Sequence, residues 1–263
     1  MLHIDQLMFG WSTPIPPYII SVAGSVLGLR CTKHARSSNR SGRWLFAAAI
    51  ALGGCGTWAM SFIAMLGFGI RGVSIRYDVP TTLFSTAIAI LAVWIGLWIV
   101  LRRRQKFVLP ILGGILAGLG IATMQYVGLR AIRCGAHIDY NSALVAASIA
   151  LAVITATAVL WFALRVHGHL AAFGASLIIG TAVSVTHYTA MLSMRAHATL
   201  LPSSLTGVRS VELLAPLITI VAVVMITLTI VVGLAEVVPA DLRDTPTRPD
   251  RNRSGSVKSR GAV

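Results

Sequence analysis

Seven apolar stretches without a charged residue divide most of the chain into lengths that suit a lipid bilayer. They cover approximately residues 14–29, 44–70, 79–101, 107–129, 140–164, 170–194 and 213–235. Most reach the roughly 20 residues that a helix needs to cross about 30 Å of hydrocarbon. None alternates polar with apolar residues as a membrane-spanning β-strand does. The pattern therefore predicts an all-α integral membrane protein, a bundle of seven transmembrane helices formed by residues 1–238.

The overall composition agrees with a membrane protein rather than a soluble one. Of the 263 residues, 56% are hydrophobic and 11% are charged, whereas soluble domains carry about 25% charged residues. Residues 239–263 differ, being polar and rich in Arg, Asp, Ser and Pro, which predicts a disordered basic tail in the cytoplasm. No catalytic domain follows the seventh stretch in this sequence. We therefore expect the function to lie within the bundle or to be exerted through a partner.

The distribution of basic residues predicts the orientation. Of 22 basic residues, sixteen fall in the loops after the first, third and fifth stretches and in the tail, and six fall on the opposite side. Because Lys and Arg accumulate in cytoplasmic loops, the N-terminus is predicted outside and the C-terminus inside a bacterial plasma membrane. The net charge of +14 then reflects topology and contact with anionic lipids at the cytoplasmic face, not nucleic-acid binding.

A six-residue motif recurs near the ends of the second, fourth and sixth stretches. The copies read MSFIAM at residues 60–65, MQYVGL at 124–129 and THYTAM at 186–191, at offsets of 64 and 62 residues. Each offset covers two helices, so the bundle is predicted to consist of three two-helix repeats plus one helix. The three helices run in the same direction, so the copies lie at similar depth and can surround one site. The second and sixth positions of each copy share a helical face.

The repeat resembles the MHYT family of bacterial seven-helix sensor domains, in which a Met-His-aromatic motif recurs on the second, fourth and sixth helices. The number of spans, their orientation and the repeat period fit, as do the Tyr-Asp and Asp-Tyr pairs at 77–78 and 139–140 before the next helices. The resemblance implies a sensory or ligand-binding role, a copper cofactor and a response to a diatomic gas such as oxygen, carbon monoxide or nitric oxide. Its members are often fused to cyclic-dinucleotide output domains, so a separate signalling partner is expected here.

Each copy departs from the family motif. Ser61 and Gln125 stand where the first two copies would carry histidine, and Thr186 replaces methionine in the third. The histidine of the third copy, His187, remains. On the resemblance, the candidate metal ligands are His187, Met60, Met124, Met191 and Met65, with Ser61, Gln125, Tyr126, Tyr188 and Phe62 as supporting motif residues.

The residue types themselves allow two interpretations of the motif. A histidine within the membrane is costly and often functional, and imidazole with thioether sulfur suits Cu(I). Equally, His187 can hydrogen-bond to Tyr126, Ser61 or a carbonyl group and hold helices together, while methionine is an ordinary filler of apolar cores. A degenerate MHYT protein without metal, with a structural or protein-interaction role, therefore stays open as the alternative.

Other functions of helical membrane proteins fit the sequence poorly. The lysines, Lys33, Lys106 and Lys258, lie outside the predicted spans, so no Schiff base to retinal can form in the bundle. The spans contain no Asp, Glu, Lys or Arg, which disfavours transport of charged cargo. Neither an HExxH motif nor a spaced nucleophile and base is present. The sequence therefore predicts a domain that is not an enzyme.

Two further features are interpreted as structural. Asp78 and Asp139 are expected to pair with Arg76 or Arg133 or to stabilise a helix N-terminus. Pairs of glycines four residues apart, at 24 and 28 and at 114 and 118, are expected to let helices approach closely.

Overall fold

A computed structural model describes residues 4–5, 13–37, 41–67, 69–70, 75–102, 108–134, 136–166, 168–198 and 207–237. Within these ranges, seven helices are long and apolar enough to cross a membrane, which confirms the predicted fold class. The helices are α1 (Ile15–Ser37), α2 (Ser41–Ala49, Ile50–Ala59 and Met60–Leu66 in succession), α3 (Val79–Arg102), α4 (Val108–Arg130), α5 (Ser142–Arg165), α6 (His169–Leu192) and α7 (Ser210–Val237). Helices satisfy every backbone group internally, which the hydrocarbon requires.

The first six helices form a closed ring. Each packs against the next in sequence, and α6 returns to pack against α1. The seventh helix, α7, lies outside this ring and contacts α1 and α2. Three helix pairs plus one additional helix is the architecture that the motif offsets predict.

The middle of α2 departs from α-helical geometry. Residues Ile50–Ala59 form a π-helix between two α-helical segments, and the hydroxyl of Thr57 donates to the carbonyl oxygen of Leu52, five residues earlier, at 2.8 Å. A π-segment shifts the register of a helix and is common at functional sites. The wider turn therefore changes which α2 side chains face the interior of the ring.

Short antiparallel strands cover the end of the bundle at which α2, α4 and α6 finish. The pairs are β1 (Ile4–Asp5) with β2 (Gly69–Ile70), β3 (Arg76–Tyr77) with both β4 (Ile132–Arg133) and β7 (Val208–Arg209), and β5 (Ala136–Tyr140) with β6 (Met194–Ala198). The apolar pattern gave no indication of them, because strands this short carry no periodicity. We call this end of the molecule the strand end.

The junctions between loop and helix also repeat. The backbone N–H of Asp78 donates to the carbonyl oxygen of Ala131 at 2.9 Å, and that of Asn141 donates to Ser193 at 2.8 Å. Both side chains accept a backbone hydrogen bond from the first turn of the following helix, which is the role of an N-cap. The residue equivalent to Asp78 is therefore Asn141, and not Asp139 as the Tyr-Asp and Asp-Tyr pairs suggest.

Asp78 has the structural role expected from the sequence. Its Oδ1 accepts a hydrogen bond from the backbone N–H of Thr81 at 3.0 Å, and its Oδ2 lies 3.2 Å from a guanidinium nitrogen of Arg133. The hydrogen bonds from Thr81 lower the pKa of the Asp78 carboxyl most, and Arg133 lowers it further.

Both predicted glycine pairs lie at close helix contacts. A Cβ atom added at Gly24 would lie 2.5 Å from the backbone nitrogen of Gly56, and one at Gly118 would collide with the backbone of Val153. A Cβ atom added at Gly28 would collide with the side chain of Leu52, and one added at Gly114 would collide with Thr157. Small residues therefore set the spacing between α1 and α2 and between α4 and α5. The predicted tail, residues 239–263, lies outside the described residues.

Candidate functional site

Three motif side chains form a chain of hydrogen bonds across the ring. The hydroxyl of Ser61 on α2 donates to Oε1 of Gln125 on α4 at 3.3 Å. Nε2 of Gln125 lies 2.7 Å from Nδ1 of His187 on α6. All three side chains are buried, with His187 only 1% exposed. The second positions of the three motif copies are therefore brought together at one depth, across three helices.

The direction of these hydrogen bonds bears on the protonation of His187. With Oε1 accepting from Ser61, the amide nitrogen of Gln125 donates to Nδ1, and the imidazole carries its proton on Nε2. The amide can also be reversed, and Nδ1–H then donates to it. In either arrangement Gln125 fixes the ring of His187, while Nε2 is buried without a hydrogen-bond partner among the described residues.

The methionines of the motif are all buried. Met65, Met124, Met191 and Met194 belong to one apolar cluster, against which Tyr188 packs. Met60 belongs to the neighbouring apolar cluster, which Tyr188 also contacts, and its sulfur lies 3.9 Å from the hydroxyl of Ser61. None of these side chains faces the lipid. Burial of this kind fits both thioether ligands and core packing.

The aromatic motif residues differ in their surroundings. Phe62 stacks on Trp58 with a centroid distance of 5.6 Å and is buried. The hydroxyl of Tyr126 lies 2.6 Å from that of Ser148 on α5. Tyr188 meets the ring of His187 edge to face at 5.3 Å. Of the three aromatic motif residues, Tyr188 is the one that contacts the imidazole.

An interior cavity of about 50 Å³ lies next to the polar chain, which contributes Ser61, Gln125 and His187 to its wall. The rest of the wall is mainly apolar and comes from all six helices of the ring. On α4 the lining residues are four apart, at 117, 121 and 125, and on α6 they are four apart, at 179, 183 and 187. These positions precede the motifs on helices that end at the strand end, so the cavity lies on the side of the motifs away from that end.

The π-helix places α2 in the same wall. Its lining residues are Leu52, Thr57 and Ser61, separated by five and then four positions. The five-residue step is the π-turn closed by the Thr57 hydroxyl. Without it, an α-helix would rotate Leu52 about 100° away from the face shared by Thr57 and Ser61.

Sequence reasoning missed the contributions of the odd-numbered helices. Ser25 on α1, Val93 on α3 and Thr155 on α5 also line the cavity, and the Thr155 hydroxyl lies 3.3 Å from that of Thr186. Serine and threonine are common in membrane helices, where they hydrogen-bond within their own helix, so nothing in the sequence distinguished these positions. Their place in the wall follows from the closure of the ring.

The described residues contain no group of three or more His, Cys, Asp or Glu side chains that could hold a metal ion. A metal at this site would therefore depend on the imidazole of His187 together with thioether sulfur. Cys55 lies in the same apolar cluster as Met124 and Met191 and is a free, buried thiol.

Comparison with known proteins agrees with the repeat. The family model described as MHYT, a bacterial signalling protein N-terminal repeat, matches residues 54–113 and 118–176. The two matches begin 64 residues apart, which is the offset between the first two motif copies. The third copy, at 186–191, lies beyond the matched residues. The chain therefore carries MHYT repeats, and it is a multi-pass membrane protein.

Similar curated proteins are bacterial signalling proteins. The bifunctional diguanylate cyclase/cyclic di-GMP phosphodiesterase MucR of Pseudomonas aeruginosa is 37% identical over 153 residues, 56% of this chain and 22% of that protein. The cyclic di-GMP phosphodiesterase NbdA of the same organism is 32% identical over 157 residues, 57% of this chain and 20% of that protein. The signaling protein YkoW of Bacillus subtilis is 24% identical over 193 residues. The chain thus spans about a quarter or less of the relatives' length. No solved structure matches.

Proposed function

We propose that this protein is a membrane sensory domain that binds a small ligand beside His187 and acts through a signalling partner rather than as an enzyme. The observation that carries the proposal is Nε2 of His187, a buried polar atom without a partner among the described residues, next to an interior cavity. A buried imidazole nitrogen left unsatisfied costs stability. Such a cost is expected where the free nitrogen has a function.

Copper is the metal that this set of donors favours. Neutral imidazole and thioether sulfur are ligands for Cu(I), whereas carboxylate and water oxygens suit harder ions. His187 would supply Nε2, and sulfur would come from Met60, Met65, Met124 or Met191, which are buried but do not line the cavity. Gln125 supports the proposal, because a metal-binding histidine usually hydrogen-bonds through its other nitrogen to an oxygen acceptor. With the amide reversed, Oε1 of Gln125 accepts that bond.

The cavity supports a small, weakly polar ligand such as a diatomic gas. Its volume of about 50 Å³ and its mainly apolar wall suit a small molecule of low polarity. Copper, when bound, would supply a centre that diatomic gases coordinate. The residues of this chain would exclude bulk water and limit the size of the ligand.

Contacts between helix ends opposite the strands support the proposal of a partner. A guanidinium nitrogen of Arg30 on α1 lies 2.9 Å from Nδ1 of His169, the first residue of α6. Another lies 3.9 Å from Glu236, in the last turn of α7. The helix that carries His187 is thus connected to the end of α7, which faces the cytoplasm in the orientation that the basic residues favour. In the proposed function, movement of α6 would reach a partner through α7.

Copper binding tests the proposal directly. Purified protein is incubated with Cu(I) under anaerobic conditions, and bound metal is measured by mass spectrometry. We expect binding to be weak in the wild type, absent in His187→Ala and unchanged in His169→Ala, a matched control on the same helix. The double variant Ser61→His with Gln125→His, which restores the family histidines, should bind more tightly. Absence of binding in both the wild type and the double variant would refute a copper site.

The second candidate function is a structural or protein-interaction role without metal. The polar chain of Ser61, Gln125 and His187 favours it, because these hydrogen bonds join three helices that apolar contacts alone hold less specifically. Under this alternative, His187→Ala lowers stability without changing any ligand response. Melting temperatures measured with and without Cu(I) separate the two candidates. If the wild type binds the metal, Cu(I) raises its melting temperature and leaves that of His187→Ala unchanged. If the role is structural, Cu(I) changes neither melting temperature.

A further inference from the structure

Two lipid-facing grooves of about 500 Å³ each occupy equivalent places in the second and third repeats. The first lies between α4 and α5, and its α4 wall consists of Leu119, Ala122, Thr123, Tyr126, Val127 and Arg130. The second lies between α6 and α1, and its α6 wall consists of the six residues that follow these by 62 positions, from Thr181 to Leu192. Each wall has the period of one helix face. The internal repeat therefore produces the same groove twice.

In the first repeat the corresponding face is covered by the chain itself. Sixty-four positions earlier, the face on α2 includes Cys55, Trp58, Ala59 and Phe62, all buried in one apolar cluster that also contains Val221 of α7. Phe62 is 2% exposed, whereas Leu119 in the first groove is 46% exposed. In the first repeat this helix face is therefore buried by other parts of the chain. The described residues supply such a cover only to the first copy.

The two open grooves differ in charge at the strand end. The last wall residue is Arg130 in the first groove and Leu192 in the second. Arg130 is exposed and has no hydrogen-bond or ion-pair partner among the described residues. The partly exposed Tyr140 lies beside it in the groove. The groove that ends in arginine therefore offers a cation to an anionic group, and the groove that ends in leucine does not.

We propose that the groove between α4 and α5 binds a membrane phospholipid, with its phosphate at Arg130 and an acyl chain along the apolar wall. The guanidinium group matches phosphate in charge and in the geometry of its donors, and the phosphates of a bilayer lie at the depth where this helix ends. Leu119, Val145 and Ile149 provide the apolar surface deeper in the groove. The lipid belongs to the leaflet at the strand end. The groove between α6 and α1 lacks the cation and does not retain a lipid.

The repeat supplies a matched pair of variants for the test. The protein is purified from vesicles of phosphatidylglycerol and phosphatidylethanolamine, and retained phospholipids are counted by native mass spectrometry. We expect one retained lipid in the wild type, a loss of roughly tenfold or more in Arg130→Leu and a second lipid in Leu192→Arg. Arg209→Leu, which removes an exposed charge on β7 away from the groove, should retain the wild-type count. Arg130→Lys should retain lipid in part.

Two further arms identify the occupant. Inorganic phosphate should not displace the lipid, and diacylglycerol, which lacks phosphate, should not be retained. Equal lipid counts in the wild type and Arg130→Leu, or none in the wild type, would overturn the proposal. Efficient formation of disulfide-linked dimers by the double variant Thr123→Cys with Cys134→Ser would also overturn the proposal. Such dimers would show that a helix of a second copy fills the groove. Each variant is first checked for an unchanged melting temperature, so that a folding defect is not scored as lipid loss.

Discussion

Nε2 of Gln125 lies 2.7 Å from Nδ1 of His187, and both side chains are buried in the middle of the helical ring. Gln125 stands where the second motif copy would carry a histidine. Its amide does not leave a gap there, because it contacts the remaining histidine and Ser61 at once. The second positions therefore remain a connected polar group in which one imidazole nitrogen is held and the other has no partner in the part of the chain that the structure describes.

Replacing Gln125 by leucine should destabilise the bundle. Gln125→Leu removes the partner of both Ser61 and His187 and leaves buried polar atoms unsatisfied, at a cost of about 1–3 kcal/mol. The melting temperature in detergent measures the change. Thr229→Val is the control, because the hydroxyl of Thr229 is exposed and bonds only to the carbonyl of Met225 in its own helix. Equal losses in the two variants would mean that the polar chain contributes nothing to stability.

Glycine substitutions should separate tight helix contacts from open ones. Gly24→Ala places a Cβ 2.5 Å from the backbone of Gly56, so α1 and α2 must separate, and we expect a loss of about 1–3 kcal/mol. Gly174→Ala meets no atom within 4 Å and should be neutral or stabilising by up to about 1 kcal/mol. Because both glycines lie in membrane helices, any effect of the detergent on the melting temperature is common to the two variants and cancels in their difference. Similar melting temperatures for the two variants would contradict the close approach.

Asp78 should make stability depend on acid pH. The hydrogen bonds from Thr81, and then Arg133, lower the pKa of its carboxyl, so the folded state favours the ionised form. The resulting stabilisation is present above the unfolded pKa of about 4 and is lost as the pH falls through the lower folded value. Asp78→Asn keeps a capping side chain but should remove this contribution. Asn141→Ala, at the equivalent junction, should lower the melting temperature without altering its slope against pH below about pH 4. If the melting temperature of Asp78→Asn depended on acid pH as strongly as that of the wild type, the Asp78 carboxyl would not be the cause of the pH dependence.

Reporter fusions should fix the orientation. Fusions after Lys106 and after Arg253 should read cytoplasmic, and one near Arg133 should read external, because sixteen of the 22 basic residues lie on the first side and basic loops remain in the cytoplasm. The strand end would then face outward. An external signal from the fusion after Arg253 would contradict the inside C-terminus and, with it, the leaflet assigned to the groove.

The number of helices, their repeat and the common depth of the motifs follow from the amino-acid pattern. Hydrophobic length sets the number of spans because lipid leaves helices as the only way to satisfy a long apolar backbone. The offsets of 64 and 62 residues placed Ser61, Gln125 and His187 at one level, since a motif repeated at the same end of helices that run in the same direction keeps its depth. The glycine pairs indicated close contacts for the same local reason, the absence of a side chain.

Which of these residues meet, and what surrounds them, depends on how the helices pack. The π-helix that places Leu52, Thr57 and Ser61 on one face has no signature in an evenly apolar segment, and Ser25 and Thr155 enter the cavity wall through closure of the ring. The position of α7 over the first repeat, and the two grooves that it leaves open, also depend on packing between distant parts of the chain. In a membrane helix almost every position is apolar. Periodicity therefore cannot distinguish a lipid-facing residue from a buried one, and only contacts between helices make that distinction.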